Sequence, residues 1–190
     1  MLKIAILASG SGSNAQALVE YFARSPWGRV EIIVTNNPRA GVIDRSSRLG
    51  IKCLLFDPAS QSEEILALLR SSVDVLILAG YLKKIPINWV RSFPGRMINV
   101  HPSLLPKFGG KGMYGIHVHK AVSDSRESTT GITIHQVNEH YDEGAIIAQY
   151  RVEITPGESP QSIQEKVRML EQKHFGQTAE TWIKQISKKQ

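Results

Sequence analysis

Three polar residues, Asn99, His101 and Asp142, have the types and the spacing for chemistry on a carbonyl group. Asn99 and His101 are two residues apart in a predicted strand, so their side chains point to the same side of it. An amide and an imidazole there can both donate to an oxygen that becomes negative when a carbonyl is attacked. Asp142 follows in a predicted turn, where its carboxylate can orient the imidazole and favour its charged form. The alternative is that His101 is a structural histidine and Asp142 a turn residue.

A glycine-rich segment at residues 9–15 joins the first predicted strand to the first predicted helix. Glycines permit a tight turn, and the start of the helix offers free N–H groups and partial positive charge to an anion. The spacing also fits a loose dinucleotide-binding pattern, but Thr35-Asn36-Asn37 stands where that pattern needs a carboxylate. We therefore favour a phosphate monoester over NAD at this segment. A plain tight turn with a helix cap is the alternative.

The sequence gives less support to a metal site than to the polar set of Asn99, His101 and Asp142. Five histidines lie between positions 101 and 140, but no paired cysteines or HExxH-type spacing accompany them. His117 and His119, in a predicted helix start, would diverge rather than share an ion. We expect no metal ion.

A Gly-x-Ser-x-Gly elbow is missing from the sequence, which disfavours a serine hydrolase. The single cysteine, Cys53, excludes an intrachain disulfide framework and is predicted to be a core residue.

The elements that must position these residues follow from the alternation of short apolar runs with helical patterns. Strands are predicted at residues 4–7, 30–34, 53–56, 73–78 and 97–100, and helices at 14–24, 42–49 and 62–69. This alternation predicts an α/β fold with a doubly wound, mostly parallel, Rossmann-like sheet. Residues 101–116 are predicted to form a long loop. Residues 130–137 and 145–152 have no helix between them, so they should pair antiparallel before a final helix that begins at Ser159 or Pro160.

Composition and charge describe an ordinary globular chain of 190 residues with a net charge of +6. The basic balance favours anionic partners, but no aromatic-and-basic binding motif is present, so no nucleic-acid partner is expected. No stretch approaches the roughly 18 apolar residues of a membrane span, and the first residues lack the features of a signal peptide. We therefore expect no membrane partner, a cytoplasmic location, and one domain spanning residues 1–190.

The motifs together resemble the phosphoribosylglycinamide formyltransferases, or glycinamide ribonucleotide transformylases, which are folate-dependent enzymes of purine biosynthesis. The resemblance covers nearly the whole chain and rests on residues 8–14, 78–82, 99–108 and 133–144. The run Asn99-Val100-His101-Pro102-Ser103-Leu104-Leu105-Pro106 is similar to the signature of folate-dependent formyl transfer in general. The short chain and the early glycine segment make the resemblance to the purine enzyme more specific, since related formyltransferases and deformylases carry further domains.

The resemblance implies a formyltransferase-like fold and transfer of the formyl group of 10-formyltetrahydrofolate, a co-substrate, to the amine of glycinamide ribonucleotide. It implies catalytic roles for Asn99, His101 and Asp142. Ribonucleotide binding is implied for Gly12, Ser13, Asn14, Arg168 and Glu171. Folate binding is implied for Leu82, Lys83, Lys84, Ile85, Asn99, Asn138, Glu139, His140 and Tyr141. The phosphate site would then belong to the N-terminal half and the catalytic and folate sites to the C-terminal half, in a monomer or homodimer without a metal ion.

The chain departs from that family at three places. Residues 109–115 form a longer loop than usual, an arginine often found near the start of the helix at Ser62 is missing, and Gln172 stands where histidine is common. These departures affect the expected folate and ribose contacts rather than the reaction, and we expect the longer loop to act as a mobile lid. Two alternatives stay open: a hydrolase that deformylates the folate with water, and a non-catalytic nucleotide-binding module.

Overall fold

Helices and strands alternate through most of the chain in the computed structural model, which describes residues 1–188; Lys189 and Gln190 lie outside the described residues. The strands are β1 (Leu2–Leu7), β2 (Gly28–Thr35), β3 (Lys52–Leu55), β4 (Val75–Leu78), β5 (Met97–His101), β6 (Thr129–Gln136) and β7 (Ile146–Glu153). The helices are α1 (Ser13–Phe22), α2 (Val42–Arg48), α3 (Ser62–Ser72), α4 (Ile87–Ser92), α5 (Ile116–Asp124) and α6 (Pro160–Ser187).

The strands form one sheet in the order β3-β2-β1-β4-β5-β6-β7. The neighbours from β3 to β5 are parallel, and β6 is antiparallel to both β5 and β7. The predicted, mostly parallel sheet with an antiparallel C-terminal part is confirmed. The strand order reverses between β1 and β4, and in such sheets a ligand crevice forms at the carboxyl ends of the strands beside this reversal.

Both faces of the sheet are covered, which explains why the central strands are continuous apolar runs. In β1, Ile4 and Ile6 belong to one buried cluster, whereas Ala5 and Leu7 belong to the other. Successive strand residues point to opposite faces, so each face of β1 packs against a different helical layer. Helix α4 was not predicted; its buried Trp89 stacks on Phe56 within the second cluster. Cys53 is half-buried on β3, an edge strand, rather than in the core.

The long helix α6 is anchored to α1, and this contact matters for the site. It begins where predicted: Ser159 is the N-cap, its hydroxyl accepts from the Ser162 N–H at 3.3 Å, and Pro160 follows at the first turn. A Cβ on Gly176 would lie 2.6 Å from the Tyr21 ring, so the two helices approach closely at this glycine. The N-terminal half of α6 is thereby held beside the start of α1. None of the helices within residues 1–188 combines the length and apolarity that crossing a bilayer requires.

Candidate active site

The glycine segment after β1 has a conformation that requires glycine at position 12. Gly12 is the N-cap of α1 and has φ 81° and ψ 18°, in the left-handed region. A Cβ there would lie 2.6 Å from Val42 Cγ2 and 2.8 Å from Val42 Cα, so the segment packs directly on the start of α2. The first turn of α1 carries no acidic side chain. The helix start is therefore suited to an anion, as the sequence predicts.

The two groups of expected ribonucleotide residues, on α1 and α6, come together in the structure. Asn14 Nδ2 donates to Glu171 Oε2 at 2.8 Å, a contact across 157 positions of sequence. Asn14 Oδ1 is buried and has no hydrogen-bond partner among residues 1–188, which leaves an acceptor for a bound molecule. Arg168 lies one turn before Glu171 and pairs with Glu165, with 3.0 Å between Nε and Oε2.

Glu171 is half-buried, and the pKa of its carboxyl group differs from the ordinary value. Burial raises its pKa from 4.5 to about 7, and the Asn14 hydrogen bond and the Arg168 charge lower it only in part. The folded state therefore binds this proton more tightly than the unfolded state does. The resulting stability is greatest below about pH 4.5 and is lost as the pH rises through 7.

We expect Glu171→Gln to stabilise the protein at pH 8 and to leave it nearly unchanged at pH 5. Glutamine keeps an acceptor for Asn14 but carries no charge, so it removes the cost of burying a carboxylate. The gain in the free energy of unfolding should be about 1–2 kcal/mol, reduced from the full shift because the side chain is half-exposed. Urea denaturation at both pH values measures it. Glu165→Gln, at the exposed Arg168 pair, is the control and should show no such gain; equal effects of Glu171→Gln at both pH values would contradict the assignment.

Asn99, His101 and Asp142 also lie together, although they come from β5 and from the turn before β7. His101 Nδ1 is 3.4 Å from Asp142 Oδ2. Asp142 has φ 56°, and its Oδ2 accepts the Gly110 N–H at 2.9 Å. The carboxylate is thus held by the long loop that follows β5. The contact between the imidazole and the carboxylate fits the predicted orienting role of Asp142.

A fourth residue, His135 on β6, joins the two ends of this set and was not predicted. Asn99 Nδ2 lies 3.1 Å from His135 Nε2, which in turn lies 3.6 Å from Asp142 Oδ1. His135 Nδ1 is 2.8 Å from the Gln136 carbonyl. A carbonyl only accepts, so Nδ1 carries the hydrogen and Nε2 accepts from the Asn99 amide. This contact orients the amide, and its second N–H, which has no partner among residues 1–188, can donate to a substrate oxygen.

Burial and the neighbouring groups act in opposite directions on the pKa of His101, which the sequence predicts to be charged. The ring is 3% exposed, and burial lowers its pKa; the Asp142 charge and the Phe108 carbonyl raise it, but less. The net effect is a pKa below the ordinary value, which favours the neutral ring. His101 Nε2 is 2.8 Å from the Phe108 carbonyl and therefore carries the hydrogen. Burial is also the main reason why the pKa of the neighbouring His119 is lowered to about 4, with a smaller electrostatic effect from the nearby His101 ring.

The expected folate segment follows β4 at the same edge of the sheet. The Leu82 N–H donates to Ser9 Oγ at 3.0 Å, which ties this segment to the end of β1. Lys84 Nζ lies 5.5 Å from the centroid of the Tyr141 ring, within the range of a cation–π contact. Glu139 behaves differently from its neighbours: it does not line the cleft, and its Oε1 lies 3.5 Å from Arg91 Nε.

One cleft of about 730 Å³ collects the remaining predicted residues. The expected site residues in its wall are Gly12, Ser13, Asn14, Leu82, Lys83, Lys84, Ile85, Asn99, Asn138, His101, His140, Tyr141, Asp142, Arg168 and Glu171. Residues 110–115 of the long loop line it too, together with His119 and His135. Within residues 1–188, no three His, Cys, Asp or Glu side chains are grouped so that they could hold a metal ion.

Comparison with known proteins identifies the class of protein to which this fold and cleft belong. The sequence profile described as formyl transferase matches residues 2–178, so the chain belongs to the formyl transferase family. The phosphoribosylglycinamide formyltransferase of Bacillus subtilis is 34% identical over 183 residues, which are 92% of this chain and 91% of that protein. The resemblance found in the sequence is confirmed.

Two further relatives carry related names. The chloroplastic phosphoribosylglycinamide formyltransferase of Arabidopsis thaliana is 42% identical over 182 residues, which cover 91% of this chain. This chain spans only 62% of the length of that plant protein. The crystal structure of glycinamide ribonucleotide transformylase 1 from Geobacillus kaustophilus superposes with a TM-score of 0.88 at 34% identity, covering 96% of this chain and 99% of that one.

Proposed function

We propose that this protein transfers the formyl group of 10-formyltetrahydrofolate to the amine of glycinamide ribonucleotide, giving formylglycinamide ribonucleotide and tetrahydrofolate. The observation that carries the proposal is a single cleft lined by the glycine segment, by residues 82–85, and by Asn99, His101 and Asp142. A phosphate site and a folate site on either side of these polar groups suit a reaction between two bound substrates. The names of the relatives support the same reaction.

The first contribution to catalysis is positioning. The start of α1, including Asn14, binds the ribonucleotide phosphate. Arg168 and Glu171 contact the rest of the ribonucleotide, so the amine is held against the formyl carbon. Residues 82–85, with Asn138, His140 and Tyr141, bind the folate. Glu139 stays in this predicted set only as their neighbour in the sequence, because its side chain contacts Arg91. Two oriented reactants save much of the entropy of a bimolecular encounter.

The second contribution is stabilisation of negative charge on the formyl oxygen. The amine attacks the formyl carbon, a new C–N bond forms, and the carbonyl oxygen becomes an oxyanion. Asn99 donates its free N–H to this oxygen, held in place by His135. His101 becomes a second donor when its Nε2–H is released from the Phe108 carbonyl. One well-placed donor of this kind contributes about 3–4 kcal/mol to the transition state.

The third contribution is proton transfer. The attacking nitrogen must lose a proton, and the folate nitrogen must gain one as its bond to the formyl carbon breaks. His101 Nδ1 faces Asp142 at 3.4 Å, so the carboxylate stabilises an imidazolium at this position. We infer that His101 and Asp142 hold the proton between its release and its return. The reaction needs no metal ion, because the carrier already activates the formyl group.

The competing hydrolase would use the same three polar residues with water as the nucleophile. It would have no need of a site for a phosphorylated second substrate, whereas Gly12, Asn14 and Glu171 are joined in one wall of this cleft. The relatives are named for the transferase and not for the hydrolase. The single-domain organisation, the cytoplasmic location, the lack of nucleic-acid or membrane partners and the monomeric or homodimeric state stay predictions.

A product assay tests the function. Purified protein is mixed with 10-formyltetrahydrofolate, with and without glycinamide ribonucleotide, and the products are identified by mass. We expect formylglycinamide ribonucleotide to form, and folate turnover to require the ribonucleotide. The Asn99→Ala/His101→Ala double variant, purified in the same way, controls for enzymes of the expression host. Formate release at the same rate without the ribonucleotide would favour the hydrolase instead.

A further inference from the structure

Arg45 on α2 contacts the glycine segment from outside the set of residues assigned above. Its Nε donates to the Ser11 carbonyl at 2.8 Å, and its guanidinium also donates to Gln16 Oε1 on α1. We propose that Arg45 is a positioning residue, which sets the direction of the segment's N–H groups so that they bind the substrate phosphate. This inference rests on the proposed function, since it concerns the ribonucleotide site.

The start of α2 and the glycine segment are fitted to each other along their length. The Val42 N–H donates to the Gly10 carbonyl at 3.2 Å. A Cβ on Gly41 would lie 3.3 Å from Ser11 Cα, and a Cβ on Gly12 would overlap Val42. Arg45 adds the side-chain contact, one turn further along α2. Two successive carbonyls of the segment, at Gly10 and Ser11, are therefore bound by α2.

The direction of those carbonyls determines where the next N–H groups point. In a trans peptide unit the C=O and the following N–H point in opposite directions. With the Gly10 and Ser11 carbonyls turned toward α2, the N–H groups of Ser11 and Gly12 point away from it. All three residues line the cleft. Arg45 thus holds a peptide unit whose N–H group is available to an anion in the cleft.

The charge of Arg45 strengthens this effect. Both of its acceptors, a backbone carbonyl and an amide oxygen, are neutral groups, so the guanidinium brings a full positive charge to the segment. A hydrogen bond from a charged donor is about twice as strong as one between neutral groups. The Arg45 side chain is half-buried; its hydrogen bond to the Ser11 carbonyl is exposed to water, whereas its contact with Gln16 is partly buried. A lysine here would keep the charge but lose the fork that reaches both acceptors.

The test separates the phosphate from the rest of the substrate. Formyl transfer is measured for wild type, Arg45→Gln and Arg45→Lys, with glycinamide ribonucleotide and with glycinamide riboside, which is the same molecule without phosphate. We expect Arg45→Gln to raise the KM for the ribonucleotide about tenfold, with little change in the KM for folate or in kcat/KM for the riboside. Arg45→Lys should recover part of the loss. Arg48→Gln, an exposed arginine one turn away on α2, is the matched control and should behave as wild type.

Two results would overturn the proposal. One is a ribonucleotide KM within about twofold of wild type in Arg45→Gln. The other is an equal loss for ribonucleotide and riboside, which indicates general damage to the fold. If Arg45→Gln does not fold, Arg45→Lys must still show the phosphate-selective loss. If wild type transfers no formyl group, the proposed function fails separately, and calorimetric titration of the ribonucleotide into wild type and Arg45→Lys still measures the contribution of Arg45.

Discussion

Gly12→Ala is expected to raise the dissociation constant for glycinamide ribonucleotide about a hundredfold. Its φ of 81° costs an alanine about 1–2 kcal/mol. The new Cβ would also lie 2.6 Å from Val42 Cγ2, and relieving such overpacking costs about 1–3 kcal/mol. Either the segment moves, which misdirects the N–H groups that bind the phosphate, or α2 moves with it. Calorimetric titration of the ribonucleotide measures the loss, and thermal unfolding measures the accompanying fall in stability.

Gly10→Ala is the matched control for this prediction. Gly10 belongs to the same segment, but a Cβ there would meet no atom within 4 Å, and its φ is not positive. We expect a much smaller change in affinity and a melting temperature near that of wild type. Equal losses in both variants would show that any side chain in the segment blocks the ligand, whereas unchanged affinity in Gly12→Ala would contradict the phosphate site itself.

Asn99→Ala is expected to lower kcat by about 10²–10³, with both KM values changed little. The amide N–H is an oxyanion donor in the proposed reaction, and removing one such donor costs about 2.7–4 kcal/mol in the transition state. The ground-state formyl oxygen is nearly neutral and gains less from the same contact, so binding is affected less than turnover. Steady-state kinetics with each substrate varied in turn separates kcat from the KM values.

Asn88→Ala is the control for Asn99→Ala. Asn88 is half-buried, does not line the cleft, and donates to Glu63 at 2.6 Å in a solvent-exposed hydrogen bond. It should keep the kinetics of wild type. If Asn99→Ala raised the KM for folate strongly and left kcat within about threefold of wild type, Asn99 would be a folate-binding residue only, and its role on the oxyanion would be wrong.

The order of the elements was readable from the sequence because this sheet is buried on both faces. Runs such as residues 4–7 and 75–78 must then be continuously apolar, and the helices between them carry one apolar side each. Helix α4 was missed because six residues are too few for a helical period to stand out. Cys53 was predicted to be a core residue because its strand is apolar, but the position of β3 at the sheet edge depends on the strand order.

The candidate site was predictable where it depends on local spacing. Asn99 and His101 share a side of β5 whatever the rest of the chain does. His135 was not predictable in this way, because its contact with Asn99 depends on the register between β5 and β6, in which these two residues are partners. The local sequence of a strand does not carry its pairing register. The only sequence signal for His135 was the alternating pattern of residues 130–137. This pattern predicts which face of the strand carries His135, but not which residue of the neighbouring strand lies beside it.

The protonation of the site was the least predictable feature. A charged His101 was expected from a single neighbour, Asp142, whose charge does raise the pKa of the imidazole. Burial depends on every element packed around the ring, including α5 and the loop that carries Phe108, and it outweighs that single charge. The same holds for Glu171, where burial between α1 and α6 raises the pKa to about 7 despite Arg168 nearby. Glu139 shows the converse: a turn beside the site points it toward Arg91 on the surface.

The single-turnover rate of formyl transfer in His101→Ala tests the central claim most directly, namely that the polar set around Asp142 performs the chemical step. With both substrates saturating, rapid quenching and mass detection of formylglycinamide ribonucleotide give the rate of chemistry apart from binding and release. His117→Ala, which alters a histidine on α5 outside the cleft, is the control. We predict a fall of about 10² or more in His101→Ala and wild-type chemistry in His117→Ala. A His101→Ala rate within about threefold of wild type would contradict the account.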